Sequence, residues 1–144
     1  MASPNKKTTA AEVMTAAPRT CSTFSTVLEA AMIFRDADCG AVPVLDDGKP
    51  VGVLTDRDVA LALVEHGATL GTLAVSDIMT RGIITVASTE EIEKVADQFA
   101  EKKVRRLLVM DNDQLVGIIA WADLVGYVSN LRVGQIVSDN VDQS

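Results

Sequence analysis

The sequence repeats itself at a constant spacing of 65 residues. Identical residues recur in one register without a gap, and the pairs are Met14 and Met79, Thr15 and Thr80, Thr20 and Thr85, Phe34 and Phe99, Val44 and Val109, Gly52 and Gly117, and Asp58 and Asp123. Apolar positions keep the same spacing, as from Val27 to Ile92. So many matches in one register indicate a tandem duplication, and we expect two similar structural units.

Hydrophobic periodicity predicts the same order of elements in both units. In the first we expect a short helix at 10–14, an extended piece at 19–22, a helix at 26–36, strands at 41–45 and 51–54, and a helix at 56–65. In the second we expect a helix at 89–103, strands at 106–110 and 115–120, and a helix at 121–130. The short Asp-containing turns between paired strands are typical of hairpins.

One unit alone, with three short strands and two helices, is too small to bury its apolar face well. We therefore predict a mixed α/β (α+β) fold in which two β-α-β-β-α repeats, residues 10–66 and 75–130, pack through their sheets with pseudo-two-fold symmetry. Equivalent clefts are expected where the halves meet. The polar ends, residues 1–9 and 134–144, are predicted to be flexible tails.

Composition and charge disfavour several classes of protein. The chain is 48% hydrophobic and 23% charged, as in soluble globular proteins, and no apolar run is long enough to cross a bilayer. The polar N-terminus does not resemble a secretory signal, so we expect a soluble cytoplasmic protein. A net charge of −7 and 3% aromatic residues disfavour nucleic acid as a partner.

Residues with catalytic or metal-binding chemistry are sparse. Cys21 and Cys39 form no C-x-x-C pair, which favours buried thiols over a zinc or redox site. The single histidine, His66, sits beside Gly67 at a predicted helix end, where a solvated role suffices. No nucleophile with an adjacent base and no Mg²⁺-binding carboxylate cluster is evident, so we predict neither enzymatic activity nor a metal site.

The segment from Gly52 to Asp58 predicts a strand that runs directly into a helix. Thr55 or Asp56 is a suitable N-cap, and the unpaired N–H groups of the first helical turn favour an anion such as phosphate. Arg57 adds a cation, and the carboxylate of Asp58 suits the paired hydroxyls of a ribose. The alternative is an ordinary capped helix in which the aspartate complements the helix dipole.

The order of these motifs, Met-Thr, helix, Val-Pro-Val-Leu-Asp and then Gly-Val-Leu-Thr-Asp-Arg-Asp, resembles the cystathionine β-synthase (CBS) domain. Two in tandem resemble a CBS pair, or Bateman module, and the chain is similar to small free-standing proteins of this kind. The resemblance implies an adenosine-containing ligand between the repeats, namely AMP, ADP, ATP or S-adenosylmethionine.

The resemblance also implies roles for particular residues. Asp58 would accept hydrogen bonds from the ribose, and Thr55 would face the ribose and phosphate. The adenine would lie between two segments of the first repeat, Thr20 and Cys21 on one side and Ala41, Val42 and Pro43 on the other. Arg105 and Arg106 would point at the phosphates, as the geometry of guanidinium groups allows. Their alternative role is a solvated strand edge.

The second cleft is predicted to be weaker. Its residues would include Thr85, Leu107, Ala120 and Asp123, so the aspartate is kept whereas Ala120 replaces the threonine. Ala122 stands where the first repeat has Arg57. Phosphate there would depend on a helix N-terminus alone.

The expected function is a regulatory module that senses an adenine nucleotide without altering it and signals to a separate effector protein. The alternative is a structural homodimerisation module without useful ligand affinity. The resemblance implies a homodimer formed through helices. Apolar helix residues including Val59, Leu63, Leu124 and Val128 could form that interface or belong to the core.

Overall fold

The computed structural model describes residues 8–37 and 39–128. Its elements are, in chain order, α1 (Ala10–Val13), β1 (Thr15–Ala16), β2 (Cys21–Ser22), α2 (Val27–Ala37), β3 (Ala41–Asp46), β4 (Lys49–Thr55), α3 (Asp56–His66), 3₁₀ turns at Gly67–Thr72 and Val75–Asp77, β5 (Thr85–Ala87), α4 (Ile92–Lys102), β6 (Arg106–Asp111), β7 (Gln114–Ala120) and α5, whose described part is 121–128. The mixed α/β class predicted from the sequence is confirmed, with two sheets and flanking helices.

Each repeat contributes a tight hairpin, as the Asp-containing turns predicted. β3 pairs antiparallel with β4, and β6 with β7. In the first turn Asp47 and Gly48 both have positive φ, 52° and 79°, which suits the right-handed twist of the strands. The second turn holds Asn112 and Asp113 in the same region without a glycine. Asparagine and aspartate tolerate this conformation better than other side chains.

The two repeats exchange their Met-Thr segments. β1, from the first repeat, pairs antiparallel with β7 of the second, and Thr15 lies opposite Ile118. Thr80, from the second repeat, forms the equivalent bridge to Val53 in β4 of the first. The two bridges are related by the same spacing of 65 residues. Each sheet is therefore completed by a segment of the other repeat.

Two glycines permit this close approach. A Cβ added at Gly52 would lie 2.7 Å from Met79 Sδ and 2.8 Å from the Thr80 carbonyl oxygen. A Cβ added at Gly117 would overlap the side chain of Met14. Since any larger residue would push the crossing segment away, the glycines at equivalent positions are explained by packing.

The hydrophobic core consists of clusters on both sheets. One lies under β6 and β7 and includes Val95, Phe99, Leu107 and Leu124, with the ring of Phe99 5.4 Å from that of Trp121. A second contains buried residues of β3 and β4, and a third lies between α2, α3 and the Gly67–Thr72 turn. The two sheets contact each other through β4 and β7.

The structure shows which of the apolar helix residues, left open between core and interface by the sequence, are buried and which are exposed. Leu124 is 1% exposed, and Val59 and Val128 are partly buried against core clusters. Leu63 is 55% exposed. Within the described residues, no helix combines the length and apolarity needed to span a bilayer.

The ends of the chain differ in part from the prediction. Of the expected tails, residues 1–7 and 134–144 lie outside the described residues. Thr8 and Thr9 belong to the fold, because the Thr8 carbonyl accepts a bond from Ile92 N at 2.9 Å and its hydroxyl lies 2.8 Å from the hydroxyl of Tyr127. Strand β1 was not foreseen, since two residues give no periodic signal.

Candidate functional site

A cavity of about 510 Å³ opens between the repeats. Three segments line it: the end of β4 with the start of α3, the stretch 80–84, and the stretch 103–106. The first belongs to one repeat and the other two to its duplicate. The volume lies within the usual range for small-molecule sites.

The first turn of α3 is held by a reciprocal capping box. Asp58 N donates to Thr55 Oγ1 at 3.1 Å, and Thr55 N donates to Asp58 Oδ2 at 3.0 Å. This pair satisfies two backbone donors and fixes the direction of both side chains. The capped-helix role that the sequence offered as an alternative is therefore real, yet the same residues also face the cavity.

Thr80 reaches Asp58 from the second repeat. Its hydroxyl lies 3.0 Å from Oδ1 and 3.1 Å from Oδ2 of the carboxylate. An ionised carboxylate offers about four acceptor positions, so Asp58 keeps capacity for a further donor. Thr80 was missed as a site residue, although the repeat itself had marked the Met-Thr pair as one of its constant features.

The cavity wall is strongly basic. Five cationic residues line it. The sequence had indicated three of them, Arg57, Arg105 and Arg106, and had not indicated the other two, Arg81 and Lys103. Arg106 extends toward the first repeat, because a Cβ built on Gly40 would lie 3.7 Å from its Nη2 and 3.4 Å from Asp56 Oδ2. Two carboxylates, Asp56 and Asp58, complete the charged lining.

The sequence predicted an adenine site formed by Thr20, Cys21, Ala41, Val42 and Pro43. None of these five residues lines the cavity. The side chains of Val42 and Pro43 are fully buried, and Cys21 is 8% exposed. In their place the structure offers Ile83, Ile84 and Val104 of the second repeat. For Thr20 and Cys21 the reason is the exchange of the Met-Thr segments, which brings the stretch after Thr80, rather than the one after Thr15, beside Asp58.

The four residues predicted for the second cleft lie in and beside the sheet of the second repeat, and none of them lines the cavity beside Asp58. Leu107 is fully buried in β6, and Ala120 pairs with Arg106 in the sheet. Thr85 is exposed and lines a different cavity, of about 420 Å³, between β5 and α4. Asp123 is exposed. Ala120 has no side-chain oxygen to cap the following helix, so the reciprocal pair seen at Thr55 and Asp58 cannot form here.

The cysteines do not supply a reactive group to the cavity. Burial raises the pKa of the Cys21 thiol from 9.0 to about 11, and the negative charge of Glu29 adds to the effect. A thiol in this state is a poor nucleophile at neutral pH. Among residues 8–37 and 39–128, no three side chains of His, Cys, Asp or Glu are grouped so that they could hold a metal ion.

Comparison with known proteins explains the duplicated geometry. The sequence model of the CBS domain matches residues 10–65 and again residues 75–130. The chain belongs to the CBS domain family. Both matches include the glycine and aspartate of the strand-to-helix segment, so the cavity between the repeats is a cavity between two CBS domains.

Relatives and solved structures agree with this assignment. The CBS domain-containing protein YhcV of Bacillus subtilis is 33% identical over 129 residues, which cover 89% of this chain and 91% of that protein. The CBS domain pair of protein MJ0100, solved in complex with 5′-methylthioadenosine and S-adenosyl-L-methionine, is 27% identical with a TM-score of 0.73, covering 90% of this chain and 99% of that one. CBSX2, solved in complex with AMP, is 23% identical with a TM-score of 0.68 over 85% of this chain and 97% of that one, a likeness of fold.

Proposed function

We propose that this CBS domain pair is a regulatory sensor that binds an adenine nucleotide, AMP, ADP or ATP, in the cavity beside Asp58 without turning it over. The observation that carries the proposal is the cavity itself. It combines a helix N-terminus, a fixed carboxylate with spare acceptor capacity and several guanidinium groups. That combination matches the ribose and phosphate of a nucleotide.

Each part of the ligand has a counterpart in the wall. The ribose hydroxyls would donate to Asp58, whose orientation Thr80 maintains. The phosphate would meet Arg57, Arg105 and Arg106, and the adenine would contact the apolar side chains of Ile83 and Val104. The hydroxyl of Thr80 contacts the carboxylate of Asp58, and we assign this pair to holding the ribose rather than to nucleophilic attack, so we expect binding without chemistry.

Isothermal titration with AMP tests the role of Asp58. Hydrogen bonds to a charged group contribute about 1.5–3 kcal/mol each, so Asp58→Ala should weaken binding about tenfold to a hundredfold. Asp123→Ala is the matched control, since the repeat places it at the equivalent position but its helix lacks the threonine cap. Unchanged affinity in Asp58→Ala would contradict the assignment, and an equal loss in Asp123→Ala would contradict the inequality of the two sites.

The second candidate function is homodimerisation, favoured by apolar side chains left exposed on the helices of the first repeat. Leu28 and Met32 of α2 are 60% and 45% exposed, and Leu61 and Val64 of α3 are 58% and 85% exposed. Such side chains at neighbouring helical positions favour burial against another molecule. The nucleotide signal would then pass through this surface or another one to a separate effector protein in the cytoplasm.

Sedimentation velocity distinguishes this candidate from a monomer. Val64→Glu places a charge in the proposed interface and should convert a dimer into a monomer without lowering the unfolding midpoint of the subunit. Glu65→Gln, the adjacent exposed position, should leave the dimer intact. A wild-type protein that sediments as a monomer at high micromolar concentration would exclude the dimer.

A further inference from the structure

We infer that the cavity selects its ligand by charge, taking adenosine polyphosphates in preference to AMP and disfavouring S-adenosyl-L-methionine. The inference rests on the proposed function, because it concerns which adenosine derivative occupies the same site. It assigns a role to Arg81 and Lys103, which lie in the cavity wall beside the three arginines considered above.

The basic residues are concentrated here to an unusual degree. The described residues contain ten lysines and arginines in a protein of net charge −7, and five of those ten line this one cavity. The salt bridges found within the described part of the chain, between Arg35 and Asp36 and between His66 and Glu65, involve none of the five. Like charges gathered in this way repel one another until an anion enters.

The two carboxylates of the cavity offset only part of this positive charge. Asp58 is engaged by Thr55 N and the hydroxyl of Thr80. Asp56 accepts from Arg57 N at 2.8 Å. Both carboxylates therefore serve the backbone and the capping of α3, and five positive charges against two negative ones give the cavity wall a surplus of three.

The cations come from separate parts of the wall. Arg57 lies in the first turn of α3, and Arg81 follows Thr80, with its Nη2 donating to the carbonyl of Ser76 at 3.1 Å. Lys103 ends α4 in a left-handed conformation just before β6. A chain of two or three phosphates would therefore meet charges from both repeats, whereas a single phosphate would leave some of them without a counterion.

Ligand charge predicts the order of affinity. Each further phosphate adds negative charge and acceptor oxygens, so affinity should rise from adenosine to AMP to ATP. Where the nucleotide carries phosphate, S-adenosyl-L-methionine carries a sulfonium, an ammonium and a single carboxylate, so this part of the molecule has a net positive charge. Both cations would be placed among guanidinium groups, which is unfavourable in a partly enclosed site.

Titration of the full chain with adenosine, AMP, ATP and S-adenosyl-L-methionine in EDTA-containing buffer tests the order. We expect ATP to bind at least about tenfold more tightly than AMP, and AMP at least about tenfold more tightly than S-adenosyl-L-methionine, because each step adds or removes at least one charge-assisted hydrogen bond. Raising the salt concentration should narrow the difference in affinity between ATP and AMP, because screening weakens exposed charge interactions.

Substitutions identify the cationic residues that cause the preference for ATP over AMP. In Arg81→Gln and Lys103→Gln the ratio of the AMP to the ATP dissociation constant should fall toward one, whereas in Lys94→Gln, outside this cavity, the ratio should stay as in the wild type. Equal binding of AMP and ATP, or S-adenosyl-L-methionine binding as tightly as ATP, would overturn charge selection while leaving a sensor of adenosine derivatives. Failure of adenosine, AMP and ATP alike to bind would overturn the proposed function as well.

Discussion

Replacement of Gly52 by alanine tests whether the crossing of the Met-Thr segments holds the repeats together. The added Cβ would lie 2.8 Å from the Thr80 carbonyl oxygen, against an ordinary contact of about 3.4 Å or more, so the carbonyl must retreat by about 0.6 Å. That carbonyl accepts from Val53 N at 3.0 Å. Lengthening by the same amount would take the bond beyond hydrogen-bond range.

The cost of the substitution follows from these two effects. Overpacking costs about 1–3 kcal/mol, and loss of a backbone hydrogen bond costs about 0.5–1.5 kcal/mol, so we expect Gly52→Ala to lower the free energy of unfolding by about 2–4 kcal/mol. For a chain of this size that corresponds to a fall of about 6–12 °C in the thermal midpoint. Nucleotide affinity should fall too, because a displaced Thr80 no longer orients Asp58.

Differential scanning calorimetry provides the measurement, and Gly126→Ala provides the control. Gly126 lies in α5, and among the described residues no atom beyond its own stretch of helix comes within 4 Å of an added Cβ, so alanine there should stabilise the protein by about 0.5–1 kcal/mol. The two substitutions thus have opposite expected signs for the same chemical change. A Gly52→Ala protein that melts at the wild-type temperature would show that the Met79-Thr80 segment can move aside at no cost.

Two further predictions concern the core and a buried thiol. Leu124→Ala should destabilise the protein by about 2–5 kcal/mol in urea unfolding, whereas Leu63→Ala, at an exposed position of α3, should change the stability of the subunit by less than about 0.5 kcal/mol; equal effects would contradict the assigned core. The pKa of Cys21 is raised to about 11 in the folded state, so its thiol ionises first in the unfolded chain and the free energy of unfolding should fall as pH rises from 9 toward 11. Cys21→Ala should remove that part of the pH dependence and Cys39→Ala should retain it, and a wild-type curve that matched Cys21→Ala would exclude the effect.

The duplication made much of the fold predictable, because both copies contain the same short-range sequence patterns. The hairpin turns at Asp47-Gly48 and Asn112-Asp113 and the helices that follow them depend on neighbouring residues, so periodicity and turn chemistry were sufficient. Helix α4 begins at Ile92 rather than at residue 89, a difference typical of sequence-based boundaries.

The candidate site could be predicted only in part, and the reason is topological. Thr55, Arg57 and Asp58 are adjacent in sequence, and the segment that contains them specifies its own geometry. The partners of Asp58 across the cavity depend on which repeat completes which sheet. A constant spacing makes Thr15 and Thr80 equivalent, and it does not say which of the two lies beside Asp58.

The exchanged segments also have consequences for the evolutionary origin of the fold and for its reassembly from two fragments. Since each half donates a sheet edge to the other, neither half is complete by itself. An ancestor with a single repeat would have had to form a homodimer in which each copy donated a strand to the other. Gene fusion would later have made that association intramolecular. Two fragments separated in the stretch between residues 66 and 75 would accordingly recombine when mixed, with the covalent connection serving mainly to raise the local concentration of one half around the other.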